Sequence, residues 1–161
     1  MIIDRIEKAT GVPATTTITC VMELFNDMGI KKIALVGPYA KSIFDAEVKF
    51  FNESGIKVLT VKGLGFTDMP QYWDYYMDPY ATYRLIKDGA KAAPDADCVF
   101  VTCMMSTIVA VVDSVEQETG KPVISSRSAI LYGILKALGI PDPVYHYGEA
   151  LIRNRFKGQG S

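Results

Sequence analysis

Asp95-Ala96-Asp97-Cys98-Val99-Phe100-Val101-Thr102-Cys103-Met104-Met105-Ser106 is the stretch on which the fold turns. From Cys98 to Thr102 the residues are apolar, β-branched or aromatic behind a charged entry, the pattern of a strand buried on both faces. Cys103 stands at its exit, and a helical pattern opens at about Ser106. A strand ending on a thiol with a helix behind it is a common way to build a reactive site in an α/β protein. It is equally an ordinary end for a strand.

The segments on either side repeat the alternation. Lys32-Ile33-Ala34-Leu35-Val36, Lys57-Val58-Leu59-Thr60-Val61 and Pro122-Val123-Ile124-Ser125 read as further short strands. Helical stripes separate them: a helix from the hydroxyl caps Thr15 to Thr17 up to Met28, one reaching Ser54, one from Pro79 to Ala92, one from Ser106 to Glu118, and one from Ser126 to Leu138. A short helix at Ile2–Ala9 precedes them, and another, Gly148 to Arg155, follows. Between Lys62 and Asp78 the glycines Gly63 and Gly65 and then Pro70 break the pattern, and Tyr72, Trp73, Tyr75 and Tyr76 crowd together as a lid, a core cluster or an interface. Strands alternating with helices predict right-handed crossovers and a three-layer, flavodoxin-like α/β fold with a parallel sheet. At 161 residues this is one domain, 1–161, with its core over about 11–139 and a C-terminal tail over 140–161.

Composition narrows the function. Seventeen basic against eighteen acidic residues give a formal charge of −1 without a Lys/Arg cluster, which argues against nucleic acid or an anionic membrane as partner. No apolar run approaches the length of a membrane span, and Met1-Ile2-Ile3-Asp4-Arg5-Ile6-Glu7-Lys8 is too charged for a signal peptide. Cys20, Cys98 and Cys103 form no CxxC pair and no disulfide framework, so a reducing, cytoplasmic location is expected.

In a flavodoxin-like sheet ligands bind beyond the carboxyl ends of the strands where the winding reverses. Here that reversal falls between the strand ending at Val36 and the one ending at Thr102. It sets Gly37-Pro38-Tyr39 opposite Cys103-Met104-Met105, with Ser125-Ser126-Arg127 one strand further on. A helix N-terminus behind Cys103 would favour its thiolate and hold a carboxylate or oxyanion on free N–H groups; the alternative is a buried thiol acting as a small apolar residue. Tyr39 can donate its hydroxyl to an anion or simply cap the sheet. Arg127 can clamp a carboxylate or stand solvated in a first helical turn. Cys98, an odd number of residues before Cys103, is expected on the other face, and Cys20 in the core. His146 has no metal-ligand spacing around it, so no metal is expected. Pro38 has no N–H, which makes the first loop a poor phosphate cradle and weakens a nucleotide-binding reading.

Several short motifs fall in a telling order: Gly11-Val12-Pro13-Ala14-Thr15-Thr16, Ile33-Ala34-Leu35 leading to Pro38-Tyr39, Gly63-Leu64-Gly65-Phe66-Thr67-Asp68, Asp95-Ala96-Asp97 leading to Cys103, and Gly120-Lys121-Pro122-Val123 with Ser125, Ser126 and Ala129. Together they resemble the Asp/Glu racemase superfamily, in particular its maleate cis-trans isomerase and arylmalonate decarboxylase branch, from about Ile2 to Leu151. The resemblance implies one lobe of a two-lobed, pseudo-symmetric fold that encloses a cleft and works without cofactor or metal. It implies a cofactor-independent isomerase, racemase or decarboxylase of a small carboxylic acid. Cys103 takes the place of the second-lobe catalytic cysteine and Tyr39 that of a carboxylate-holding tyrosine; Pro38, Thr102, Met104, Ser126 and Arg127 complete the expected substrate-binding set. The family's first lobe, with a Cys-Thr-Ser-Gly motif, would precede Ile2, so a homo-oligomer or a partner is expected to supply it. Where the family commonly reads Ser-Cys-Thr-Asn, this chain reads Thr102-Cys103-Met104-Met105. Gly37 replaces a threonine, and Arg127-Ser128 replaces Asn-Gln. The alternative function is a non-catalytic remnant acting as a binding module.

Overall fold

The structure, a computed structural model, describes residues 2–68, 70–71, 78–104 and 107–152. The aromatic group Tyr72 to Tyr76, Met105 and Ser106, and the tail beyond Ile152 lie outside the described residues. In chain order the elements are α1 (Ile2–Thr10), α2 (Thr17–Met28), β1 (Lys32–Tyr39), α3 (Lys41–Glu53), β2 (Lys57–Phe66), α4 (Pro79–Ala92), β3 (Cys98–Val101), a 3-10 turn (Ile108–Ala110), α5 (Val112–Thr119), β4 (Val123–Ser125), α6 (Ser126–Ala137) and α7 (Glu149–Ile152).

The four strands lie in the order β2-β1-β3-β4, and every pairing is parallel. This is the expected order, with the winding reversing between β1 and β3. Alternate side chains of a strand point to opposite faces, which sorts the core into two halves. Ile33, Leu35, Cys98, Phe100 and Ile124 meet α2, α3, α6 and α7 on one face. Ala34, Val36, Val99, Val101 and Val123 meet α4, α5 and the 3-10 turn on the other. Phe25, Phe51 and Phe100 form a cluster of near edge-to-face rings at the centre of the first half, Phe100 lying 5.4 Å from Phe25 and 5.6 Å from Phe51. Burying each such ring contributes about 1.5–3 kcal/mol. In the C-terminal tail α7 seats Ala150 and Leu151 in this same core.

Local chemistry fixes the ends of the elements. Thr16 caps α2 by accepting from the Thr19 amide, and Gly29 closes that helix at a left-handed φ of 71°. Asp78 caps α4, with Pro79 in the first turn. Ser125 and Ser128 cap α6 reciprocally, each hydroxyl accepting from the other's amide.

Two expectations need correction. β2 runs to Phe66, through the glycine-rich segment read as a break, because β1 extends to Tyr39 and offers it pairing groups: Val36 pairs with Lys62 and Gly37 with Gly63. The register shifts between Gly37 and Tyr39, at the proline that has no N–H to give. The helix expected at about Ser106 also begins later. Only a 3-10 turn forms at Ile108–Ala110, and α5 starts at Val112 without a side-chain cap. The β-branched run Thr107-Ile108-Val109 and Val111-Val112 is a poor place to open a helix.

Candidate active site

The carboxyl ends of β1 and β3, the start of α2 and the inner face of α3 enclose an open cleft of about 500 Å³, closed on one side by the first residue of α6. Its floor and one wall are apolar, built from Ile18, Val21, Ile43, Phe50, Phe51 and Phe100. Its polar groups are Thr17, Tyr39, Glu47, Thr102, Cys103 and Ser126. Among the described residues neither lysine nor arginine lines it.

Cys103 follows β3 by two residues and is almost covered, at 7% exposure. Its φ of 92° is in the left-handed half of the map, where only glycine sits without strain. Holding a cysteine there costs about 1–3 kcal/mol. That backbone turn brings Cys103 to the same side of the sheet as Phe100, so the odd-offset argument for opposite faces does not carry past the end of the strand. Cys98 is separated from Cys103 along β3 rather than across the sheet. It is fully buried in the core at the strand's entry, where burial pushes its thiol far above the ordinary range. Cys20 is fully buried in α2. The first helical residue described behind Cys103 is Ile108 of the 3-10 turn, so the helix N-terminus expected beside the thiol is not what shapes this loop.

Tyr39, the last residue of β1, meets Phe44 with ring centroids 6.0 Å apart and lines the cleft opposite Cys103. Thr102, Met104 and Ser126 line it as well; Pro38 and Arg127 do not. Pro38 alternates with Gly37 and Tyr39 along β1 and so faces the other side of the sheet. The Arg127 guanidinium instead donates to the Met104 carbonyl at 2.7 Å, tying the start of α6 to the loop that carries Cys103. Among the described residues no group of three or more His, Cys, Asp and Glu side chains comes together to hold a metal. His146 pairs with Asp113, 2.8 Å away.

One residue of the cleft escaped the sequence reading. Glu47 lies on α3 three residues after Phe44 and four before Phe51, so it faces inward between two core phenylalanines. The Thr102 hydroxyl donates to Glu47 Oε1 at 2.6 Å. Glu47 Oε2 is buried with no hydrogen-bond partner among the described residues. Burial pushes the Glu47 carboxyl above the usual carboxylate range, and the Thr102 hydroxyl only partly opposes it. The signal was present in the sequence as an acid inside an apolar stripe, Phe44-Glu47-Val48-Phe51.

Gly37 and Gly63 make this end of the sheet possible. A Cβ at Gly37 would stand 2.5 Å from the Thr102 methyl carbon, and one at Gly63 would stand 2.4 Å from the Phe44 ring. The methyl of Thr102 therefore occupies the space over Gly37, which leaves its hydroxyl turned to Glu47. The site thus combines a strained thiol, a tyrosine and a partly buried carboxyl around an apolar hollow. Such a set can move protons to and from a carbon acid or add a thiol to an activated carbon.

Known proteins resemble this chain in sequence and in fold. The chain is 26% identical to a maleate isomerase of Geobacillus stearothermophilus over 88% of its own length and 55% of the relative's. It is 26% identical to the arylmalonate decarboxylase of Bordetella bronchiseptica over 82% of its length and 54% of the relative's. The chain therefore spans about half the length of the curated relatives it matches. Its fold superposes on a mutant of Nocardia farcinica maleate cis-trans isomerase carrying a covalently bound succinylcysteine intermediate, with a TM-score of 0.80 at 20% identity over 95% of this chain and 63% of that one. The family model for arylmalonate decarboxylase matches residues 1–151, and the chain belongs to that family.

Proposed function

We propose that this chain is one lobe of a cofactor-independent enzyme that isomerises, racemises or decarboxylates a small carboxylic acid through Cys103. The observation that carries the reading is Cys103 itself, held at a φ of 92° at the sheet's reversal point and facing the same cleft as Tyr39. Strain of this kind gathers at working sites. In a decarboxylase or racemase the Cys103 thiol gives its proton to the α-carbon of an enediolate; in an isomerase its thiolate adds to a double bond, the new single bond rotates, and the thiolate leaves. The related Nocardia farcinica isomerase carries a succinylcysteine, a product of the second kind of step. In this reading Tyr39 and Ser126, which line the cleft, donate to a substrate carboxylate.

The lining favours an acid with one carboxylate near the polar groups and an apolar substituent over the phenylalanine floor. We further propose that the open side of the cleft is closed by a second lobe, with another copy of this chain as the simplest supplier. Exposed Ile18, Ile43, Phe50 and Met104 rim the cleft, and α1 buries none of its residues although it carries Ile2 and Ile6. Three reduced thiols suit a cytoplasmic setting. No helix among the described residues is long and apolar enough to cross a membrane.

The test is phenylmalonate turnover followed by proton NMR in D2O, alongside mass-spectrometric mapping of iodoacetamide labelling. Phenylacetate formation that disappears in Cys103→Ser is expected, with Cys103 labelled well ahead of Cys20 and Cys98. A second reading, a non-catalytic binding module, is favoured by Met104 where the family's pattern is polar. Absence of turnover together with equal, slow labelling of the three thiols would decide for it. Sedimentation at tens of micromolar tests the second copy: a monomer there removes self-assembly from the proposal.

A further inference from the structure

A hydroxyl has one proton to give, and in this cleft the direction in which Thr102 gives it depends on Glu47. When Glu47 is ionised, Thr102 donates to Oε1 across 2.6 Å and presents only lone pairs to the cleft. When Glu47 carries a proton, the same short contact can run the other way: the carboxyl donates to Thr102 Oγ1, and the hydroxyl proton of Thr102 becomes available to a ligand. The Thr102 methyl group is fixed over Gly37, so the side chain cannot escape this choice by rotating into the space above that glycine. We propose that Glu47 and Thr102 form a proton-set switch that lets the cleft accept carboxylates when Glu47 is neutral and turns them away when it is ionised. This rests on the reading of the cleft as a carboxylate site and adds the residue that governs its selectivity.

Three observations support the switch. Glu47 Oε2 is sealed from solvent with no partner among the described residues, an arrangement far more costly for an anion than for a neutral acid. No cation among the described residues lines the cleft to offset a charge on Glu47, so an ionised Glu47 would repel a carboxylate ligand across a poorly screened space. Burial raises the Glu47 carboxyl above the usual carboxylate range, the direction that favours the neutral acid.

Among the described residues the other groups facing Glu47 are few. From β1 comes Tyr39, from the loop after β3 Cys103, and from α2 and α6 only the neutral Thr17 and Ser126. On β2 Gly63 faces α3, which turns Lys62 to the opposite side of the sheet. On α3 itself Lys41 pairs with Asp45 and Lys49 with Glu53 on the exposed face. Cys103 and Tyr39 are therefore the titratable neighbours to be controlled for.

The experiment uses two alkylating reagents of nearly equal size on the full chain, iodoacetate and iodoacetamide. Each forms one S–C bond at Cys103 and expels iodide from the same thiolate. Their rate ratio cancels the thiolate fraction and reads how the cleft treats a carboxylate. As pH rises from below the ordinary glutamate range to 8, the iodoacetate-to-iodoacetamide ratio at Cys103, followed by peptide mass spectrometry, is expected to fall by roughly tenfold, the effect of one charge introduced beside the reagent. Glu47→Gln should hold the ratio at its acid value at every pH, and Thr102→Val should lower the acid value and move the fall to higher pH. A ratio that stays level in the native chain would overturn the switch. If neither reagent labels Cys103, the reading of the cleft as a reactive site fails, and carboxyl carbon-13 NMR of Glu47 decides the switch by itself. A midpoint above the ordinary glutamate range keeps it; an ordinary midpoint removes it.

Discussion

Glu47 and Glu116 are both glutamates drawn inward by helices, one on each face of the sheet, and burial pushes both above the usual carboxylate range. Their surroundings differ in one respect. Glu116 accepts from the Val123 amide at 2.7 Å through one oxygen and from the Glu149 amide at 2.8 Å through the other, which ties α5 to β4 and to the start of α7. Glu47 accepts only from Thr102, and its second oxygen has no partner among the described residues. The first is a carboxylate that the backbone was arranged to satisfy; the second is left with bonding capacity at the edge of a cleft. Equal burial therefore marks a clasp in one place and a working group in the other.

The comparison breaks most visibly at Glu116. Glu116→Gln sets an amide NH2 against one of two backbone donors and should lower stability by about 1–3 kcal/mol in urea unfolding. A loss no larger than that of an exposed substitution would mean the clasp is not holding α7. Thr102→Val removes the only hydrogen bond to Glu47 among the described residues while keeping the side chain's shape. It should lower stability by about 1 kcal/mol and move the Glu47 midpoint further upward, read by carboxyl carbon-13 NMR. The smallest effect is expected from Glu47→Gln, and its sign changes with pH. The folded-state value of Glu47 is raised above the unfolded one, so its contribution to stability is complete below the unfolded value and is lost as pH rises through the folded value. Thermal melts should show Glu47→Gln gaining on the native chain between acid and neutral pH. A difference that does not vary with pH would place Glu47 on the same footing as a surface carboxylate.

Much of this architecture could be read from the residues. The alternation through Ile33-Ala34-Leu35-Val36 and Cys98-Val99-Phe100-Val101 identifies two doubly buried strands, and their parallel neighbours follow from the helices between them. The reversal point then puts Tyr39 and Cys103 on one cleft without any knowledge of side-chain positions. What stayed hidden depends on contacts between distant segments. The extension of β2 through Gly63 to Phe66 needs β1 as a template, since glycines weaken a strand taken alone. Glu47 was passed over because a charged residue in a helix is by default assigned to the solvated face. Its inward direction follows from Phe44 and Phe51, and its bond to Thr102 spans 55 positions of chain. The late start of α5 follows the β-branched run before it, and the Arg127 contact to the Met104 carbonyl spans 23 positions of chain.

The backbone at Cys103 has a consequence for how this sequence can drift. At a φ of 92° glycine is the residue of lowest strain, so a Cys-to-Gly change there would release strain worth about 1–3 kcal/mol while removing the thiol. A descendant with no use for the sulfur has a downhill mutational path away from it, open to a single-codon replacement and rewarded by a more stable fold. Serine and alanine, the usual fates of a discarded cysteine, offer no such relief. Position 103 is thus a gauge of selection: a cysteine retained there is held against the slope of the stability landscape, and a glycine would mark a lineage in which the chemistry has lapsed.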